Sequence, residues 1–294
     1  MQIPTKKLQS GFELPIYGLG LWQMGGRFER DTTNDDNDIA AIDAAIKAGI
    51  THIDTAESYG AGHAEELLGK VLPNHDRSKL IIATKVAAWN QTYESVIQSF
   101  NASLERIGTD YIDLYLLHQY PEPGIPIADT MRAMDELVEK GLVKNIGVCN
   151  MSPNRFNEAQ KHSKNKLVCN QIHYNVQYRE AEHKGVLEHA RANDVMLVAW
   201  RPVQKGSLPD SRLLEDIAAK YGKTPTQIAI NWLISQERVV TIAKTSRAEH
   251  LEENLGALDF VMDGEDIERI RQEYPEQHAV SDSVPLDYKA DVEA

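Results

Sequence analysis

The stretch 51-THIDTAESYG-60 puts a carboxylate, Asp54, and a phenol, Tyr59, five residues apart, just past a short apolar run. Two later runs end in residues of complementary chemistry. The run 79-KLIIATKV-86 carries Lys85 at its end, and 111-YIDLYLLH-118 closes on His118. An ammonium beside a phenol lowers the phenol's pKa, because positive charge favours phenolate. An aspartate beside that ammonium keeps it protonated and in place. A phenol tuned in this way can give a proton to an oxygen that becomes negative during a reaction. An imidazole across the pocket can hydrogen-bond the same oxygen and orient it. Taken singly, each residue has an ordinary explanation: a lone histidine after a strand is more often structural, and a lone lysine there is usually solvated. Four of them at the ends of apolar runs call for a common frame.

That frame is legible in the rest of the chain. Eight short runs rich in Val, Ile, Leu and Tyr recur: 17–22, 51–56, 79–86, 111–118, 143–150, 167–174, 195–203 and 239–246. Such runs read as parallel strands buried on both faces. Stretches of helical period separate them, among them IAAIDAAIKAG (39–49), which ends on a glycine suited to the position after a helix, AEELLGKVL, SVIQSFNASLERIG, TMRAMDELVEKG, HKGVLEHARAND, LLEDIAAKYG and TPTQIAINWLISQ. Strand–helix alternation repeated eight times predicts an α/β fold, a (β/α)8 TIM barrel. An open doubly wound sheet would want a G-x-G-x-x-G turn after its first strand, and GLGLWQ does not supply it. KKLQSGFELP reads as an N-terminal β-hairpin turning at Ser10-Gly11, placed to plug the bottom of the barrel. A C-terminal helix and an irregular polar tail, after Tyr274, complete the chain. No linker divides it, so residues 1–294 are expected to form one domain.

In such a barrel the chemistry sits at the C-terminal ends of the strands. The polar residues there are Asp54, Glu57 and Tyr59, then Lys85, His118 and Gln119, Asn150, then Asn170, Gln171 and His173, Trp200 and Arg201, and Lys244 to Arg247. AKTSRAEH follows the eighth run and opens a helix. Ser246 with Glu249 has capping-box spacing, and Lys244, Thr245 and Arg247 gather charge and a hydroxyl where barrels commonly hold phosphate.

Composition narrows the function classes. The chain has 294 residues, 42% apolar and 26% charged, with net charge −13. That charge argues against a nucleic-acid partner, which would want a basic face. No stretch approaches the ~18 apolar residues of a membrane helix, and the N-terminus lacks a signal-like apolar core. A soluble, cytoplasmic protein with no membrane partner is expected. Cys149 and Cys169 have no metal-type spacing, so reduced core thiols and no metal are expected.

The motifs GLGLW, DTAESYGAGHAEELLG, IATKV, YIDLYLLH, GLVKNIGVCN, NQIHYN and IAKTSRAEHLEENL together resemble the aldo-keto reductase family, over about residues 3 to 260. The resemblance implies a barrel that binds a nicotinamide cofactor without a Rossmann domain. It implies a catalytic tetrad of Asp54, Tyr59, Lys85 and His118, and reduction of an aldehyde or ketone to an alcohol. It implies further that Asn150 and Gln171 hold the nicotinamide carboxamide and that Trp200 stacks on the ring. Lys244 and Thr245 would hold the phosphate on the adenosine ribose, with Glu253 and Asn254 at the adenine. Leu21, Trp22, Arg201, Pro202 and Val203 complete the implied cofactor set. Departures are visible: Cys149 stands where the family has a serine, Arg201 replaces a common serine, and His250 replaces an arginine that reads the 2′-phosphate. Arg247, a turn earlier, is placed to compensate, so NADP(H) is favoured over NAD(H). Trp22, Trp89, Gln119 and Tyr120 are candidate walls for a small-molecule carbonyl substrate. Two other readings remain open on sequence: a Schiff-base aldolase using Lys85, and a non-catalytic NADPH-binding redox sensor.

Overall fold

The computed structural model describes residues 2–203, 208 and 211–287. Of the expected polar tail, residues 288–294 lie outside the described residues. A two-stranded antiparallel hairpin, β1 (Thr5–Lys7) and β2 (Glu13–Pro15), precedes the barrel. Eight parallel strands then close on themselves: β3 (Tyr17–Gly20), β4 (His52–Asp54), β5 (Ile81–Val86), β6 (Ile112–Leu117), β7 (Val143–Cys149), β8 (Leu167–His173), β9 (Met196–Trp200) and β10 (Val239–Ala243), with β10 pairing back onto β3. Each coincides with one of the eight apolar runs. No helix among the described residues is long and apolar enough to cross a membrane.

The period of two along each strand sorts its residues into two cores. Ala83, Leu114, Leu116, Cys169, Met196, Val198 and Val240 point inward and fill the barrel. Their neighbours Ile53, Ile82, Tyr115, Ile146, Val148, Ile172 and Leu197 point outward against the helices. This is why the strands read as unbroken apolar runs. The hairpin closes the bottom, with Leu8, Leu14 and Phe12 joining the inner cluster. Its turn holds Gly11 at φ +94, as the Ser10-Gly11 dipeptide predicts. Two charged residues fasten it. Lys6 donates to the carbonyls of Ile234 and Val239, each at 2.7 Å, and to that of Gln236. Asp194 accepts the amides of Gln9 and Ser10 at 2.9 Å.

The outer layer includes α1 (Asp35–Lys47), α2 (His63–Val71), α3 (Tyr93–Ile107), α4 (Ile127–Glu139), α5 (Pro153–Lys161), α6 (Glu180–His183), α7 (Val186–Ala192), α8 (Arg212–Tyr221), α9 (Pro225–Ser235), α10 (Ala248–Leu255) and α11 (Gly264–Glu273). Gly49 follows α1 at φ +104, in the conformation expected of it. Helix α1 starts ahead of its apolar stripe, because Asp35, Asp36 and Asp38 suit the positive end of the helix dipole. Three sequence expectations need correction. The run 183–194 is not one helix: Gly185, at φ +69, separates α6 from α7. Helix α5 has no counterpart among the periodic stretches, since only Phe156 and Ala159 of its residues are buried. The Ser246–Glu249 capping box does not form: α10 is capped at Arg247 and no side chain bonds its first turn. Register decides this, because Ser246 sits one residue outside the cap. A capping box does form at Thr224 and Gln227, opening α9.

Candidate active site

The ends of β4, β5 and β6 bring the four chemical residues together. Asp54 is the last residue of β4, and its inward side chain is 1% exposed. A 3₁₀ turn, Tyr59–Gly62, follows and aims Tyr59 back over the strand end. Gly60 holds φ +56 there, and a Cβ on it would lie 2.2 Å from the carbonyl oxygen of Gly25. Lys85, fully buried, donates from Nζ to Asp54 Oδ1 at 2.6 Å, to the Thr55 carbonyl at 2.8 Å and to the Tyr59 hydroxyl at 3.1 Å. The three donors of the ammonium thus have three acceptors. Gln171, from β8, donates to the other Asp54 oxygen at 2.7 Å. His118 follows β6. Its ring lies edge-on to that of Tyr59 at 5.6 Å, and its Nδ1 is 3.3 Å from Ser58 Oγ. Trp22 meets Tyr59 edge-on at 4.9 Å, and Phe28 meets Trp22 at 5.2 Å. Phe28 lies in an irregular loop with no periodic signal, so sequence reasoning missed it.

The electrostatics differ in one respect from the sequence argument. Burial, opposed by Lys85, pushes the Tyr59 phenol up to about 12. The lysine's charge softens the effect of burial without reversing it, so the phenol stands protonated at neutral pH. Burial is the largest single influence on Lys85 and would lower it, but Asp54, with Tyr59 and Cys149 adding to it, raises the ammonium above its ordinary value. A protonated lysine with all three protons engaged has no free lone pair for Schiff-base attack. Burial, with Lys85 adding to it, holds His118 down to about 3, a neutral ring.

Two histidines on the barrel strands are also depressed. Burial lowers His52 to about 4 and, helped by Arg201, His173 to about 3. His52 is fully buried, and neither ring nitrogen has a protein partner among the described residues. Between pH 6.5 and about 4 the unfolded chain binds protons that these rings refuse in the fold. Stability is therefore complete above pH 6.5 and falls as the pH drops through that window, by ~1.4 kcal/mol per unit for each histidine. Urea midpoints at pH 7 and pH 5 test this. His52→Gln should flatten the slope, and equal midpoints for the native chain at both pH values would refute the account.

Most of the rest of the predicted set lies at and beyond the ends of β7 to β10. Trp200, ending β9, donates from Nε1 to Asn150 Oδ1 at 3.2 Å, and Asn150 donates to the His118 carbonyl at 3.3 Å. Asn150 and Gln171 each keep unused hydrogen-bonding capacity, as a planar amide ligand would need. Arg201 is engaged by Asp282 at 2.9 Å. Pro202 is buried and Val203 half-buried beside it, while Leu21 is buried behind Trp22. Loop 23–34, with Asp38 and Lys244, lines a cavity of about 740 Å³. Gly25 and Gly26 hold φ +68 and +110 in that loop, and a Cβ on Gly25 would meet His63 at 2.7 Å. Asp38 fastens the loop, accepting from the Gly25 amide at 2.9 Å and from Asn34 at 3.0 Å. At the far end Lys244, Arg247 and His250 are exposed, and Glu253 is half-buried and accepts from Thr224 at 2.9 Å. Thr245 and Asn254 are buried, and Asn254 donates to Thr245 Oγ1 and to the Tyr17 hydroxyl. That amide therefore ties the loop to the barrel wall.

Trp89 is largely exposed on the rim. Tyr120 lies under the Arg155 guanidinium at 4.1 Å, and the Gln119 carbonyl accepts from Gln91. Cys149 and Cys169 are free, buried thiols, with burial pushing both up. Among the described residues no His, Cys, Asp and Glu cluster could hold a metal.

A barrel whose strand ends carry an acid, a phenol, an ammonium and a neutral imidazole in mutual contact has the architecture of a cofactor-dependent carbonyl reductase. Residues 17–274 match the model of the aldo/keto reductase family, and the chain belongs to that family. It is an oxidoreductase that reduces carbonyls with a nicotinamide cofactor. Glyoxal reductase of Bacillus subtilis is 33% identical over 269 residues, covering 90% of this chain and 91% of the relative. A thermostable aldo-keto reductase solved with the inhibitor epalrestat superposes with TM-score 0.89 at 40% identity, over 91% of this chain and 98% of the other. An aldo-keto reductase from Klebsiella pneumoniae, solved with NADPH, gives TM-score 0.82 at 30% identity, over 95% and 98%.

Proposed function

We propose that this chain uses NADPH to reduce a small aldehyde or α-dicarbonyl, of the glyoxal type that its Bacillus relative is named for, with Tyr59 as proton donor. NADPH, when bound, supplies the hydride. The chain's own residues do the rest. His118, neutral, hydrogen-bonds the substrate carbonyl and orients it beside the Tyr59 hydroxyl. Tyr59 gives its proton to that oxygen as negative charge develops there. Lys85, held by Asp54 and Thr55, stabilises the phenolate that remains. Trp22 and Phe28 wall the pocket and keep water from the reacting oxygen. Asn150 and Gln171 have the spare amide groups to hold a carboxamide, and Trp200 offers a flat face to a ring. Lys244, with Arg247 and Thr245, would hold the 2′-phosphate. The supporting observation is the single ammonium of Lys85 within hydrogen-bond reach of both the Asp54 carboxylate and the Tyr59 hydroxyl.

The test is a titration of tryptophan fluorescence with NADPH and NADH, followed by glyoxal reduction read as NADPH consumption. Quenching at micromolar NADPH, weaker with NADH, and turnover of glyoxal are expected. No binding of either nucleotide would overturn the reading. Lys244→Met should weaken NADPH binding about tenfold or more, the scale of a lost charge-assisted hydrogen bond, and leave NADH binding nearly unchanged. An equal loss for both nucleotides would remove Lys244 from the 2′-phosphate.

A further inference from the structure

His173 stands in the NQIHYN motif without a part in the chemistry described so far. It is 3% exposed at the end of β8. Its ring is stacked between two others: Trp200 at 4.3 Å, 10° from parallel, and Tyr178 at 4.4 Å and 23°. Neutral at working pH, it packs as a flat polar ring, and its edge is held. Nδ1 lies 2.7 Å from Ser281 Oγ, and Nε2 lies 3.4 Å from the Asn175 amide. Ser281 belongs to residues 275–287, which cross the barrel mouth in irregular conformation. That segment is anchored from below by Glu180, a carboxylate in a residue 1% exposed, which accepts the amides of Ser281 at 2.9 Å and Leu286 at 3.1 Å. The same segment reaches the other residues around Trp200. Asp282 pairs with Arg201 at 2.9 Å. The Asp287 amide donates to the Asn150 carbonyl at 3.0 Å, and its carboxylate accepts the Ser152 amide at 2.9 Å.

We propose that His173 is a positioning residue for the nicotinamide ring, setting the plane of Trp200 by stacking behind it, and that Ser281 sets the plane of His173. The C-terminal segment thus shapes the cofactor's reactive end. The inference rests on the NADPH reading above. Trp200 has one edge fixed, by the hydrogen bond to Asn150. A ring fixed at one edge can still tilt, and His173 removes that freedom by covering one face. Ordering the plate before the ligand arrives lowers the cost of binding.

The test compares two probes, NADPH and 2′,5′-ADP, which carries the adenosine end and no nicotinamide. Dissociation constants are measured for Ser281→Ala, His173→Phe and the double variant. Phe keeps a flat ring between Trp200 and Tyr178 but cannot bond Ser281. Each single variant should weaken NADPH three- to tenfold, the range of a net hydrogen bond. The double variant should weaken it no further, because both changes break one link. Binding of 2′,5′-ADP should be unchanged in all three. Equal weakening of both probes, or unchanged NADPH binding, would overturn the proposal, even if melting temperatures fall. Failure of the native protein to bind NADPH at all would overturn the underlying reading and this inference with it.

Discussion

Tyr59→Phe is expected to bind NADPH as the native protein does and to reduce carbonyls about 10²–10⁴-fold more slowly, the usual contribution of a positioned proton donor. The phenyl ring fills the same volume, so its edge contact with Trp22 survives. What is lost is the hydroxyl that lies 3.1 Å from Lys85 Nζ. Single-turnover reduction of glyoxal separates the two effects, since binding is read by fluorescence and chemistry by loss of NADPH absorbance. Burial holds the native phenol at about 12, so its proton is present below that pH and removed only above it. The native rate should therefore not decline through loss of this proton between pH 7 and 10. A Phe variant with native turnover would end the assignment of Tyr59.

The second large effect concerns stability as well as rate. Lys85→Met would leave Asp54 with Gln171 as its remaining side-chain partner, in a residue 1% exposed. Asp54→Asn would leave the Lys85 ammonium buried without its counter-charge. Each single change should cost ~3–5 kcal/mol of folding stability, because it strands a charge in a dry interior. The double variant, Asp54→Asn with Lys85→Met, removes both charges and should recover most of that loss. All three variants should be inactive as reductases. Urea unfolding of the four proteins measures the coupling directly. Additive losses would mean that the two residues do not hold one another, and the account of Lys85 as a tethered cation would fail.

The parts of this molecule that could be read from the chain are those with a period or a fixed place relative to one. The strands were visible because inward and outward faces are both apolar, and Asp54, Lys85 and His118 were visible because each lies at or next to the end of an apolar run. Loop 23–34 and residues 275–287 were not. Phe28 reaches Trp22, and Ser281 reaches His173 across 108 positions, through irregular backbone whose path depends on the finished barrel. Residue type alone also misled. Lys85 beside Tyr59 suggested a lowered phenol pKa, whereas burial outweighs the neighbouring charge. Ser246 and Glu249 had capping spacing, yet the helix begins at Ala248. Such outcomes depend on register and orientation, which side-chain identity does not specify.

The hairpin beneath the barrel has a consequence for traffic. Leu8, Leu14 and Phe12 close the floor, and Ala83, Leu114, Leu116 and Met196 fill the space above it. The barrel interior is therefore filled from the hairpin upward. A carbonyl entering and an alcohol leaving would use the same face of the barrel, the one that carries Tyr59 and His118. Opening that face would speed arrival and departure together, whereas loosening the floor would change neither.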